Sequence, residues 1–200
     1  MKKTVVLTIL LACIGIQTFG QDQKFLVGGS LGTNFDKEET INNDLIDSKR
    51  TNLAISGLFG YFLTSRFVIG TELTYEKTKT KTNQNGVSSS ETKSLDYVFS
   101  PFLRYYFNQA FIQAQGNFGK SDYNYNADLY IIDNNYNVDV ENVYNILGWG
   151  VGIGYDFSLT NRLLLEPIIK YNSNKHTDKI NDLDLKRNGL TLNVGLVFKL

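Results

Sequence analysis

The chain has 200 residues, with 20 lysines and arginines against 20 aspartates and glutamates, so its formal net charge at pH 7 is zero. This balance argues against a nucleic-acid partner, which a basic surface would have to attract. The single cysteine, Cys13, lies in the N-terminal segment described next, which excludes disulfides and thiol chemistry from the mature chain. The 17 glycines, 13 phenylalanines and 12 tyrosines beside two prolines favour a β-rich fold.

Residues 1–20 have the three parts of a secretory signal peptide. Two lysines precede an apolar run over 4–16, and the segment ends in the small residue Gly20. The run is shorter than the roughly 20 apolar residues that a transmembrane helix needs. We therefore expect cleavage after residue 20 and a mature domain over 21–200, exported beyond the inner membrane. Lipidation of Cys13 is the alternative, and it fits less well because apolar residues follow the cysteine.

Eight segments of about ten residues alternate apolar and polar side chains, the pattern of a β-strand with one apolar face. No lysine or arginine stands on the apolar faces, and the opposite faces are rich in glycine, serine, asparagine and threonine. The segments cover 25–35, 52–61, 67–76, 96–105, 112–118, 147–156, 163–172 and 190–200. Short connections near Thr64, Asn108 and Ser158 alternate with long polar ones over 36–51, 78–93, 119–143 and 173–188.

An even number of strands with short turns at one end and long loops at the other is typical of an outer-membrane barrel. Small side chains fit the narrow lumen of an eight-stranded barrel, and large apolar ones suit contact with lipid. The sequence therefore predicts an all-β fold, an eight-stranded antiparallel up-and-down transmembrane β-barrel with its short turns toward the periplasm. A soluble barrel of the lipocalin kind has the same number of strands and is the alternative.

Aromatic residues cluster near both ends of the predicted strands, where the interface belts of membrane barrels lie. The belt on the periplasmic side is predicted to contain Tyr61, Phe62, Tyr105, Phe107, Phe111, Tyr155, Phe157 and Phe198. The outer belt is predicted to contain Phe35, Tyr75, Tyr97, Tyr144 and Tyr171. The fifth and sixth strands are expected to rise above the membrane as a long hairpin that carries Tyr123, Tyr125, Tyr130 and Tyr136. This hairpin offers a surface to an extracellular partner, and a stiff, soluble loop is the alternative.

Charged residues on the polar faces are expected to meet in the lumen, and they are Glu72, Glu76, Arg104, Glu166 and Lys170. A lone buried charge is very costly, so these groups should pair. Arg104 is the natural hub for two carboxylates because of its forked donors. Such a network closes the barrel, and a gated ion path is the alternative.

The sequence gives no catalytic residue. Ser173 and His176 invite comparison with barrel enzymes that remove acyl chains from lipid A, which carry a His-x-Ser-Asn pattern. Here Tyr171 stands at the histidine position, and a solvated loop histidine is the better interpretation of His176.

No cofactor or metal site is predicted either. The stretch that begins at Asp133 resembles an EF-hand loop, but Val138 stands where glycine is needed and Tyr144 where glutamate is needed. The alternating glycines of 148–154 lack the spacing of a nucleotide-binding loop. We expect them to make room for a neighbouring side chain such as Tyr106 or Phe102.

The turn Gly60-Tyr61-Phe62-Leu63-Thr64, the strand over 100–106 and a last strand that ends with the chain are similar to those of the outer membrane protein beta-barrel domain family, the OmpA/OmpX-like small barrels. The resemblance covers nearly all of residues 22–200. One departure is Leu200, since such barrels often end in an aromatic residue that the insertion machinery reads; here Phe198 lies two residues earlier.

This resemblance implies the outer membrane of a Gram-negative-type bacterium, with outer-membrane lipid and lipopolysaccharide around a monomer. It also implies that barrel-assembly machinery reads the last strand. We expect a structural or surface-interaction role without enzymatic activity. A narrow passive pore, a lipid-modifying enzyme and a soluble periplasmic ligand-binding barrel are the alternatives.

Overall fold

The computed structural model describes residues 24–36, 46–84, 88–131, 134–178 and 184–200, and these are almost entirely β-strand. They form β1 (Phe25–Asp36), β2 (Ile46–Phe62), β3 (Phe67–Gln84), β4 (Ser88–Phe107), β5 (Ala110–Ile131), β6 (Asn134–Tyr155), β7 (Phe157–Ser158), β8 (Leu163–Asp178) and β9 (Asp184–Lys199). No helix in this part of the chain is long and apolar enough to cross a membrane. The predicted signal peptide lies outside the described residues, and so does Asp133, the first residue of the stretch that resembles an EF-hand loop.

The strands form one antiparallel sheet that closes on itself. From β1 to β6 each strand pairs with the next along the chain, and β6 then pairs with β8. The ring closes between the first and last strands, in a register that runs from Leu26 opposite Lys199 to Asp36 opposite Gly189. The short β7 pairs with β8 beyond the end of β6, so the ring has eight strands. The predicted eight-stranded up-and-down barrel is confirmed.

The short turns are fixed by local hydrogen bonds. In the β2–β3 turn the Thr64 hydroxyl accepts from the amide of Phe67 at 3.1 Å, and in the β7–β8 turn Thr160 accepts from Leu163 at 3.0 Å. Such hydroxyl-to-backbone bonds favour a turn over continued strand. The third short turn uses Asn108 at a φ of 62°, a left-handed conformation that asparagine tolerates well.

Alternation along the strands gives the barrel two different faces. On β6 the outward side chains from Leu147 to Tyr155 are all apolar and exposed, whereas the inward positions are mostly glycine. This length is close to the roughly 9–11 residues that a tilted strand needs to cross a membrane. The outward residues of the other strands continue the same apolar band around the ring, as expected of a wall that faces lipid.

Three of the predicted belt residues point inward instead. Phe62, Phe111 and Tyr144 are buried or half-buried, and Phe62 stacks on Tyr106 inside the barrel at 5.9 Å. Neighbouring residues of a strand point to opposite faces, and each of these three is next to an outward residue. They therefore lie at the height of a belt but on the inner face. The remaining belt residues face outward, except Phe35, whose side chain is not described.

Much of the polar sequence predicted to be loop is paired strand. The β3–β4 ladder continues to Gln84 opposite Ser88, and the β5–β6 ladder continues to Ile131 opposite Asn134. At about 3.3 Å per residue, the β5–β6 ribbon extends roughly 40 Å beyond Phe118, which lies opposite Leu147 at the upper end of the apolar band. The predicted long hairpin is therefore present as a continuous ribbon.

The apolar band predicts a depth-dependent cost for a charge on β6. Val151→Arg places a cation in the middle of the band and should lower the free energy of unfolding by about 2–4 kcal/mol. Val143→Arg is the matched control, since Val143 lies outward on the same strand but above the band, and it should cost no more than about 1 kcal/mol. Urea unfolding from lipid vesicles measures both, and equal costs would contradict the assignment of the lipid-facing wall.

Candidate functional site

The lumen is closed at the short-turn end by apolar side chains. Eight buried residues pack together there, with Leu58 and Phe62 against them; they are Leu26, Val68, Phe102, Tyr106, Phe111, Leu164, Ile168 and Val197. Sequence reasoning missed this apolar plug, although the inward positions nearest the short turns are apolar in most strands. That change of composition along the inner face is the signal that could have found it.

A buried ion pair lies within the apolar plug. Arg104 on β4 donates from Nη1 to Glu166 Oε2 at 2.6 Å and from Nη2 to Glu166 Oε1 at 3.0 Å. Its Nε and Nη2 also donate to Gln113 Oε1, at 3.0 and 2.7 Å, and Nη1 donates to the Tyr106 hydroxyl at 3.1 Å. The guanidinium carbon lies 3.9 Å from the centre of the Phe111 ring. The bidentate geometry and the aromatic contact are those for which arginine, rather than lysine, is suited.

A second buried ion pair lies above the first. Lys170 on β8 donates to both carboxylate oxygens of Glu72 on β3, at 2.7 and 2.6 Å. Arg104 therefore contacts one carboxylate and not the two that the sequence suggested, because Lys170 reaches Glu72 across the lumen. The four charges line a shared space of about 10 Å³, no more than one water needs.

Glu76 lies two inward positions beyond Glu72 on β3 and belongs to a separate polar layer. Its carboxylate accepts from Asn52 Nδ2 at 2.6 Å, and Asn52 also donates to Thr78 at 2.7 Å. Of the five predicted lumen charges, the structure brings four into two ion pairs and leaves Glu76 in this amide layer. Around it is a polar cavity of about 80 Å³, lined by side chains that include Asn117, Asn172 and Asn174.

A third ion pair sits at the base of the barrel, and the sequence analysis did not anticipate it. Lys199 Nζ lies 2.9 Å from Asp156 Oδ2 and over the rings of Tyr106 and Phe62, at 5.0 and 5.8 Å from their centres. Asp156 is 2% exposed and occupies the break between β6 and β7. The pair ties the last strand to the end of β6, two strands away in the ring.

The alternating glycines of β6 provide space for side chains of the neighbouring strands. A Cβ at Gly152 would come within 2.9 Å of the Lys170 side chain, and one at Gly154 within 2.2 Å of the Phe111 ring. The predicted role of this stretch is therefore correct, but the occupants are not the predicted Tyr106 and Phe102. The Phe102 ring lies instead against Gly70 of β3.

Ser173 and His176 are not in a flexible loop, because β8 continues to Asp178. His176 faces inward and is 3% exposed, whereas Ser173 belongs to the outward face. Burial, together with the nearby Arg187 charge, lowers the pKa of His176 to about 4. The two side chains point to opposite faces of one strand, so they form no nucleophile–base pair.

The tyrosines of the β5–β6 ribbon lie above the apolar band. Tyr123 packs edge-on against Tyr144 at 5.9 Å, and Tyr125 pairs through its backbone with Thr92 and Val140. Tyr130 and Tyr136 lie on paired backbone, and their side chains are not described. In the described part of the chain, no three His, Cys, Asp or Glu side chains are grouped to hold a metal ion.

The sequence profile of one family, described as "Autotransporter beta-domain", matches residues 26–195. No significant match is found among curated proteins.

Several solved structures resemble the fold at low sequence identity. Ail, the attachment invasion locus protein of Yersinia pestis, is 11% identical with a TM-score of 0.49, covering 88% of this chain and 99% of its own. The beta domain of the Bordetella autotransporter BrkA is 13% identical with a TM-score of 0.49, covering 88% and 100%. The outer membrane protease OmpT of Escherichia coli is 8% identical with a TM-score of 0.46, covering 88% and 94%.

The Arg104–Glu166 pair predicts a large loss of folding stability when only one of its two partners is removed. Arg104→Met leaves the Glu166 carboxylate buried without its cation and should lower the free energy of unfolding by about 3–5 kcal/mol. Adding Glu166→Leu removes the stranded charge and should restore most of the loss. Urea unfolding of both variants in lipid vesicles tests this, and a single variant as stable as the parent would refute the coupling.

The buried His176, which lies above the apolar band, predicts that the folding stability of the barrel depends on pH. Its folded pKa of about 4 is below the unfolded value of about 6.5, so unfolding takes up a proton as the pH falls between these values. The contribution is fully present above about pH 6.5 and is lost as the pH falls toward 4. His176→Gln should flatten the slope of unfolding free energy between pH 7.5 and 5.5 relative to that of the parent chain. An unchanged slope would show that the histidine is not buried in its neutral form.

Proposed function

Because the chain belongs to the autotransporter beta-domain family, we propose that it is an outer-membrane barrel with a closed lumen, whose role is to present β-ribbons to partners at the cell surface. It works without catalysis. The observation that carries the proposal is the filled lumen: an apolar plug at the base, two buried ion pairs within and above it, and about 10 Å³ beside them.

A filled lumen of this kind opposes solute passage. A hydrated ion would have to displace the Arg104–Glu166 or Lys170–Glu72 pair and leave a charge uncompensated. It would also have to pass the aromatic rings that pack at the base, where Phe111 is 1% exposed. The passive pore is therefore the weaker interpretation of the same residues.

The surface role is supported by the length of β5 and β6, which extend beyond what is needed to cross a membrane. About half of β5 and β6, the longest strands at 22 residues each, lies beyond the apolar band. Pairing at every position keeps this ribbon ordered in water. A protein whose only task were to fill the membrane would gain nothing from it.

Conductance recording is the direct test of the closed lumen. The full chain, refolded into planar lipid bilayers, should give no discrete current steps, and Arg104→Ala should give at most rare ones because the apolar plug remains. Frequent steps that grow in size in Arg104→Ala would overturn the closed barrel in favour of the pore.

Shortening the ribbon tests the surface role separately. Tyr123 and Asn142 are direct partners, so replacing 124–141 by Asn-Gly closes the hairpin in register. The shortened chain should still shift mobility on heating in detergent gels, while cells that display it should lose adhesion to immobilised extracellular proteins or glycans that the full chain binds. Equal adhesion by both chains, or no adhesion by the full chain, would contradict the ribbon's role.

A further inference from the structure

Two of the short turns repeat one sequence pattern, Leu-Thr-x-Arg, over 63–66 between β2 and β3 and over 159–162 between β7 and β8. In each turn the leucine and threonine amides donate to the carbonyl of the residue after the arginine, at distances between 2.8 and 3.3 Å. The threonine hydroxyl accepts from the amides of the arginine and of that next residue, between 3.0 and 3.3 Å. The two turns therefore hold the leucine and arginine backbones in the same arrangement.

The leucine of each turn is an exposed apolar side chain beside the apolar band. Leu63 is 56% exposed and Leu159 is 55% exposed. Removal of apolar surface from water is favourable, and an acyl chain at the rim of the barrel removes it. Each turn therefore offers an apolar contact at the edge of the hydrocarbon layer.

The arginine of each turn lies at the level of the lipid headgroups. Arg66 directly precedes Phe67, an exposed ring. Arg162 directly precedes Leu163, whose cross-strand partner is the exposed ring of Phe198. Aromatic residues of membrane barrels mark the two interfaces. A guanidinium group one residue from this level can reach a lipid phosphate and form two parallel hydrogen bonds with it.

The carboxylates at this end of the barrel are already used inside the lumen. Among the described residues of the short-turn end the acidic ones are Asp156 and Glu166, and each is paired with a cation of the lumen. Arg66 and Arg162 are exposed, and neither forms an ion pair with another described residue. The anion for these two guanidinium groups therefore comes from outside the chain.

The two turns stand on opposite sides of the ring. On one side β3, β4, β5 and β6 separate them, and on the other side β8, β9, β1 and β2 do. With neighbouring strands about 4.8 Å apart, the turns are roughly 19 Å apart along the wall. This separation exceeds the Debye length of about 8 Å in physiological salt, so each turn acts on its own surroundings.

We propose that each Leu-Thr-x-Arg turn binds one anionic phospholipid of the periplasmic leaflet, with the phosphate on Arg66 or Arg162 and an acyl chain against Leu63 or Leu159. The assignment rests on the proposed outer-membrane location. Two such contacts on opposite sides hold the barrel at a fixed depth, at the end away from the ribbon. A soluble anion fits less well, because it would leave both leucines in water.

Single-tryptophan variants examine each turn separately. Trp149→Phe removes the single tryptophan of the chain, and Leu63→Trp or Leu159→Trp then places an indole at one turn while keeping an apolar side chain there. The full chain is refolded into phosphatidylcholine vesicles that contain a small fraction of phosphatidylglycerol with bromine-labelled acyl chains, which quench a neighbouring indole. We expect quenching at both turns well beyond that of the same fraction of labelled phosphatidylcholine.

Each turn is the matched control for the other. Arg66→Gln should weaken the preference for phosphatidylglycerol about fivefold in the Leu63→Trp chain, since one arginine near an anionic surface contributes about 1 kcal/mol. It should leave the preference in the Leu159→Trp chain unchanged. Arg162→Gln should have the reverse effect.

Four outcomes would overturn the lipid sites. They are equal quenching by both labelled lipids, an unchanged preference in the arginine variants, an equal loss at both turns from either variant, which would indicate diffuse surface charge, and full displacement by millimolar inorganic phosphate, which would indicate a soluble anion. Heat-dependent gel mobility is measured on the same samples. If it shows the folded barrel while the lipid preference is absent, only these sites fail; if the chain does not insert, the proposed function fails with them.

Discussion

Closure of the backbone ladder between β1 and β9 is the constraint on which the rest of the molecule depends. Within lipid no water can satisfy a free amide or carbonyl, so every strand must have two neighbours and the sheet can have no edge. The amide of Phe25 donates to the carbonyl of Leu200, and that of Leu200 donates to Phe25, at 2.9 Å each, so the first and last described residues of the wall meet. Once the ring is closed with eight strands, its lumen is only wide enough for side chains, and the contents of the lumen follow from that width.

The side chains that fill the lumen change from apolar to polar along the barrel axis. At the base the inward side chains are mostly apolar and pack as a small core, in which the charges are paired, Arg104 with Glu166 and Lys199 with Asp156. Above the second ion pair the lining becomes polar, with serines, threonines and amides that hydrogen-bond to one another, as Asn117 does to Asn174 at 2.9 Å, beside charged side chains such as Glu76 and Arg187. The lumen is therefore closed by apolar side chains at its base and lined by polar ones above them.

Sequence alternation was sufficient to predict the strands, the number in the ring and which face meets lipid, because a period of two leaves each residue one choice of side. It failed where height and side were confused, as at Phe62, Phe111 and Tyr144. The loop assignment over 78–93 failed for another reason: a ribbon with water on both faces needs no apolar alternation, so the upper part of β3 has the polar composition of a loop although it is paired strand. The partners of the lumen charges depend on the stagger of strands far apart in sequence, and composition does not encode that stagger.

The uneven length of the strands has a mechanical consequence. β5 and β6 have 22 residues each, whereas β8 and β9 have 16 and β1 has 12, so one side of the barrel rises far above the other. A pull on the tip of this taller hairpin acts along its strands, while the hydrogen bonds that anchor it to β4 and β8 lie perpendicular to that direction. The load is then shared as shear by many bonds at once, instead of opening them one after another. The hydrogen bonds that anchor the ribbon are therefore loaded in parallel when it is pulled along its strands.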